Sequence, residues 1–258
     1  MRLASFRVGE GASPVVLLHG YLGSGRNLRT LATQWSQRDP DLTFLLPDLT
    51  GHGESPPFPP DPTLESVARD VLETADAEGL TGRLRWVGHS FGGRVCLAAA
   101  RLAPDRVSRV DLLDISPGAI PAAQSESGAV LDLLVSMPER EEDRATMQRR
   151  MTDAGLSTHL AAWLATNLIP DPAGGVKWRF DRAGLQRAHL PVLAEDLWDV
   201  VEAKAVPLRL AKGNRSAYVP AADVARMRDL GVEVVELESG HFVHVSALDA
   251  LVEWLDAV

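Results

Sequence analysis

The sequence is short of cysteine, of positive charge and of long apolar runs, and each shortage closes off a class of protein. Cys96 is the single cysteine in 258 residues, so no internal disulfide can form. Lys and Arg number 26 against 35 Asp and Glu, a formal charge of −9. A nucleic-acid footprint needs the opposite balance to displace counterions from phosphate; small neutral or cationic partners suit this chain better. The opening stretch MRLASFRVGEGASPVVLLHG has no apolar run as long as a signal core or a membrane span requires. The expectation is a soluble, cytoplasmic protein that engages neither nucleic acid nor membrane. Metal motifs are missing too. There is no C-x-x-C or H-E-x-x-H, and His241 with His244 cannot alone complete a site. GSGRN lacks the G-K-[ST] ending of a phosphate loop, and no cofactor is expected.

What is present is enough apolar material, 45% of residues, for one sizeable core. Apolar runs too short for helices recur at 15–18, 43–46, 84–87, 107–113, 207–211 and 232–237 and read as strands. Helix-length segments separate most of them. In one, Leu64, Val67, Ala68, Val71, Leu72 and Ala75 recur at helical spacing behind Thr63 as N-cap, with Ser66 and Asp70 expected on the wet face. Strand and helix in repetition imply an α/β fold with a mostly parallel sheet covered on both faces. The leading RLASFRV alternates and reads as an antiparallel edge. The alternation fails between residues 117 and 190, where SESGAVLDLLVSMP, EREEDRATMQRRM and STHLAAWLATNLI read as consecutive helices with no strand between them. The expected organisation is a single domain over 1–258, with an all-helical cap at 117–190 lying over the strand ends.

The strand RLRWV runs into GHSFGGRVCLAAARLA. Gly88-His89-Ser90-Phe91-Gly92 fits G-x-S-x-G, in which a serine sits on a strained strand-to-helix turn and the residues two before and two after it must be small. Serine needs a base to take its proton and donors to hold an oxyanion. The strand VVLL ends in His19-Gly20, so the next loop can aim the Tyr21 N–H at the site, paired with the N–H of Phe91. His19 itself reads as a residue that hydrogen-bonds the turn. For the base, His241 follows the last strand where the chain leaves the sheet, at the end where open α/β folds assemble their sites; His244 is its rival. His52, His89, His159 and His189 read as structural or exposed. Trp163, Trp178 and Trp198 are candidates for an acyl pocket.

Over nearly its full length the chain resembles the α/β-hydrolase superfamily, with HGYLGS, PDLTGHGES, GHSFGG and SGHFVH in the family's order. That order places an acid between Ser90 and His241. The usual position, in the loop after the strand at 207–211, holds Ser216. The other position ends the preceding strand, VSRVDLLDISPGAIP, at Asp114, while Asp111 falls inside that strand facing the opposite way. DISP, the serine at 216 and GHFVH together resemble a subgroup of capped bacterial serine esterases. The resemblance implies Ser90 as nucleophile, His241 as base, Asp114 as acid and Ser216 hydrogen-bonded within the acid–histidine network, while Asp48 belongs to a structural loop. It implies a small-molecule ester or thioester substrate of short to medium acyl length, cleaved through an acyl-enzyme without a cofactor. A C–C bond hydrolase, a lyase, a cofactor-free perhydrolase and a non-catalytic ligand-binding module use the same scaffold and stay open.

Overall fold

The computed structural model describes residues 1–120 and 126–257. Among the described residues the strands are β1 (Ser5–Val8), β2 (Ser13–Leu18), β3 (Leu42–Pro47), β4 (Leu84–His89), β5 (Val107–Leu113), β6 (Arg140–Glu141), β7 (Leu168–Pro170), β8 (Val176–Trp178), β9 (Leu208–Gly213) and β10 (Glu233–Leu237). The helices are α1 (Arg29–Arg38), α2 (Leu64–Ala77), α3 (Phe91–Leu102), α4 (Glu126–Ser136), α5 (Arg144–Asp153), α6 (Thr158–Leu164), α7 (Arg182–Leu193), α8 (Trp198–Ala203), α9 (Ala221–Asp229), α10 (Val243–Ser246) and α11 (Leu248–Asp256). Seven strands form the main sheet in the order β1-β3-β2-β4-β5-β9-β10. Every pair in it is parallel except β1 with β3, so RLASFRV supplies the antiparallel edge its alternation implied.

Strands buried on both faces need apolar residues at consecutive positions. In β2, Val16 and Leu18 join one hydrophobic cluster while Val15 and Leu17 join another, as the two-residue period of a strand requires. Helix α2 starts where expected: Thr63 Oγ1 accepts from the Ser66 N–H at 3.0 Å, and Ser66 Oγ accepts from the Thr63 N–H at 3.1 Å. Asp70 departs from the expectation. It is buried rather than wet, and its Oδ2 accepts from Thr50 Oγ1 at 2.7 Å, because the loop after β3 folds back over this helix.

The segment between β5 and β9 is also not purely helical. Besides α4 to α8 it contains a small antiparallel sheet in the order β6-β8-β7. Those strands have two or three residues each, too short to show a period. The expected boundary at residue 190 falls inside α7, which runs on to Leu193, and residues 121–125 of the expected cap lie outside the described residues. Two hydrogen bonds tie the insertion to the loop after β2: Asn167 Nδ2 donates to the Leu22 carbonyl at 2.9 Å, and the Tyr21 hydroxyl donates to the Leu185 carbonyl at 2.6 Å.

Candidate active site

At the carboxyl end of the sheet, β4 turns into α3 through Ser90, whose backbone takes φ 52° and ψ −119°. Such a conformation costs a non-glycine residue on the order of 1–3 kcal/mol and persists only where the surroundings impose it. Here they do. The Ser90 N–H donates to the Leu113 carbonyl at 3.0 Å, and a β-carbon at Gly88 would stand 2.4 Å from the Gly92 carbonyl. A β-carbon at Gly92 would stand 2.4 Å from the Leu18 carbonyl oxygen and 2.7 Å from that of His19. The helix carrying the serine therefore lies in main-chain contact with the end of β2. Two further non-glycine residues with positive φ border the same site, Leu22 at 64° and Asp114 at 53°.

Asp114, one residue beyond β5, is completely buried. Its Oδ1 accepts from the Gly213 N–H at 2.8 Å, and its Oδ2 accepts from the Ser216 hydroxyl and meets His241 Nδ1 at 2.7 Å. Three donors supply what a carboxylate cut off from water requires. With Nδ1 engaged, Nε2 is the ring nitrogen left for the serine proton. Ser90 and His241 line one cavity of about 130 Å³, walled by Tyr21, Leu22, Val130, Leu160, Trp163 and Phe242. Such a set can pass a proton from a hydroxyl to an imidazole oriented by a carboxylate. Tyr21 lines the cavity and Phe91 opens α3 beside Ser90. Among the described residues neither of their N–H groups meets a protein acceptor, so both are available as donors.

The other candidates fall apart from this set. Asp111 is held by Arg85 Nε at 2.6 Å and Arg209 Nε at 2.7 Å. Asp48 accepts from the Gly25 and Glu54 N–H groups, each at 2.8 Å, and so pins its loop. His19 bridges its own turn, with Nδ1 at 2.8 Å from the Gly20 carbonyl and Nε2 accepting from the Leu49 N–H at 2.9 Å. Burial pushes it down to about 4. His244 is pushed down to about 3 by burial and then by neighbouring His241; among the described residues no carboxylate meets its ring. His89 is turned to the His241 carbonyl, 2.9 Å from its Nε2, and holds the loop that carries His241. Of the three tryptophans only Trp163 lines the cavity. Trp178 stacks on Phe180 and Trp198 lies under the Arg226 guanidinium. Cys96 is buried, and burial raises its thiol well above the usual range, so it reads as a packing residue.

Two further residues of the site, Tyr218 and Glu126, are absent from the residues singled out in the sequence. The Tyr218 ring stacks on the His241 imidazole with centroids 3.6 Å apart and planes at 13°, and its N–H donates to Ser216 Oγ at 3.2 Å. Glu126, at the start of α4, lies 3.3 Å from the Tyr218 hydroxyl and lines the cavity. Tyr218 follows Ser216 by two residues, a proximity that could have flagged it; the long-range approach of Glu126 could not have been read locally.

The chain belongs to the alpha/beta hydrolase family, whose profile matches residues 15–254. It is similar to the esterase YbfF of Escherichia coli (strain K12), with 26% identity covering 93% of this chain and 90% of that one. It is also similar to the sn-1-specific diacylglycerol lipase ABHD11 of Mus musculus, 29% identical over 97% of this chain and 81% of that one. Among solved structures, a marine microorganism esterase superposes with a TM-score of 0.86 over 100% of this chain and 99% of that one. At 21% identity that likeness shows the fold. No helix among the described residues is long and apolar enough to cross a membrane.

Proposed function

We propose that the protein is a serine hydrolase that cleaves carboxylic esters, thioesters included, of short to medium acyl chains. The observation that carries this reading is the placement of Ser90, on its strained turn, in one cavity with His241, whose Nδ1 is held at 2.7 Å by buried Asp114. Similarity to proteins named esterase and lipase supports the ester as substrate class. In the first half-reaction Ser90 Oγ attacks the carbonyl carbon as His241 Nε2 takes the hydroxyl proton. The N–H groups of Tyr21 and Phe91 receive the oxyanion, and Asp114 stabilises the imidazolium. Collapse expels the alcohol or thiol, which takes the proton from His241. Water, activated by the same imidazole, then releases the acid and restores Ser90. Ser216 donates to the same Asp114 oxygen that meets His241, and residues 117–190 act as a cap whose Leu160 and Trp163 close the acyl side.

The test is Ser90→Ala against a series of p-nitrophenyl esters and acyl-thioesters graded by chain length, with fluorophosphonate labelling of the unsubstituted protein. Turnover is expected to fall by roughly 10⁴ to 10⁶, and the label is expected on Ser90. Residual activity within about tenfold of the unsubstituted protein overturns the assignment.

A further inference from the structure

The cavity wall is chemically lopsided. Among the described residues lining it there is no Lys or Arg, and the one carboxylate in contact with it is Glu126. Asp114 sits behind the imidazole, fully buried and fully occupied. Glu126 is exposed, and it has no cation within salt-bridge distance among the described residues; its hydrogen-bond partner there is the Tyr218 hydroxyl at 3.3 Å. The same cavity is lined by the aromatic side chains of Tyr21, Trp163, Tyr218 and Phe242. A lone carboxylate beside aromatic rings is the combination that recognises an ammonium group, through charge and through the ring quadrupole. The same carboxylate repels an anion. A second hollow of about 120 Å³ shares Glu126 and Tyr218 with the first and adds Ile120, Ala217, Pro220 and Asp223, whose carboxylate accepts from the Ser116 hydroxyl, so a substituent has room on either side of Glu126 and meets negative charge on both. The net charge of −9 favours the approach of cations on a longer scale.

We infer that Glu126 is a specificity-determining residue that selects esters carrying a positive charge, of the ammonium class, in their acyl or alcohol portion. The inference rests on the ester hydrolysis proposed above and deepens it. Glu126 stands one aromatic ring away from the base: its carboxylate meets the hydroxyl end of Tyr218, and the face of that ring covers His241. A cation held there lies near the reacting carbonyl rather than at a remote surface.

Two isosteric pairs test it, each differing only in replacing a quaternary nitrogen by carbon. Butyrylcholine against 3,3-dimethylbutyl butyrate places the charge on the alcohol. The p-nitrophenyl ester of 4-(trimethylammonio)butanoate against that of 5,5-dimethylhexanoate places it on the acyl chain. In at least one pair kcat/KM is expected to favour the cation by about 5- to 30-fold at low ionic strength, and the preference should shrink as salt rises. Glu126→Gln should bring that ratio within about threefold of unity and Glu126→Asp should keep most of it, with fluorophosphonate labelling of Ser90 showing that each variant is folded. A ratio near unity in both pairs, or one that survives Glu126→Gln, overturns the inference while the neutral esters still turn over. No turnover of any of the four esters overturns the hydrolase reading itself, and this inference with it.

Discussion

Strand β5 presents two aspartates, Asp111 within it and Asp114 just beyond it, and both are fully buried. Asp111 is opposite Arg209 in the register with β9. It is gripped by guanidinium nitrogens at 2.6 Å, 2.7 Å and 3.6 Å from Arg85, Arg209 and Arg109. Burial lowers the Arg85 guanidinium to about 10, with the Asp111 charge opposing that shift. Asp114 has no permanent cation: its partners are a backbone N–H, a hydroxyl and an imidazole. The same side chain is thus a mortar between strands in one place and a poised acceptor in the other. Mid-strand, neighbouring strands at fixed register can bring long basic side chains onto it from both sides. Past the strand's end, only loops reach it, and loops bring hydroxyls and histidines.

Substitutions at the two positions should separate activity from stability. Asp114→Asn removes the charge that stabilises the imidazolium, and kcat is expected to drop by roughly 10³ to 10⁴ with the folded structure retained. Asp111→Asn leaves the arginines uncompensated in the core and should cost about 3 kcal/mol or more in urea denaturation, with the folded fraction still active. The contrast breaks if Asp111→Asn is the more damaging to kcat, or if Asp114→Asn turns over esters at nearly the original rate.

The histidines sharpen the same contrast through pH. His19, His52 and His244 are pushed down to about 4, 3 and 3, chiefly by burial, whereas the unfolded chain titrates at the ordinary value of about 6.5. Below that value the unfolded state binds more protons, so stability is present above about pH 6.5 and is lost as pH falls toward the folded values. Each group should cost about 2 kcal/mol between roughly pH 7 and pH 5. Denaturant midpoints measured across that range check it, and midpoints unmoved by pH would show these rings to be solvated. The smallest effect is expected at the outer edge of the acid network. Ser216→Ala removes a neutral donor from a carboxylate that keeps two others, for a loss of about 3- to 30-fold in kcat/KM.

Why one part of this site was legible and another was not follows from the range of the interactions involved. Ser90 was readable because glycines two residues either side record a local collision, and the strand and helix flanking it are periodic. His241 was readable from its place after the last strand. Asp114 needed the resemblance to a family, since nothing within β5 says which of its acids meets a histidine 127 residues later. Strands β1 to β5, β9 and β10 announced themselves by short apolar runs, with β1 marked by alternation. The strands β6, β7 and β8 did not, because two or three residues carry no period. The helical position of Asp70 points to solvent, and what buries it is tertiary: the loop bearing Thr50 and the N-terminal ammonium of Met1 both close on its carboxylate. Tyr218 and Glu126 join the site through a stacked ring and a hydroxyl contact between distant segments.

The main-chain contact between Gly92 and the carbonyls of Leu18 and His19 has a consequence for how such a protein changes over generations. Side chains normally set the gap between neighbouring elements, so mutation can widen or narrow it by a methyl group at a time. At Gly92 the helix that follows Ser90 meets the strand leading to Tyr21 backbone to backbone, with no side chain of its own at that point to vary. Drift in the core can weaken this junction or leave it alone, but it has no means of adjusting it. The variable gauge lies in the insertion, where Val130, Leu160 and Trp163 face the cavity and can be exchanged without moving the cutting edge. New substrates can therefore be tried against an unchanged blade.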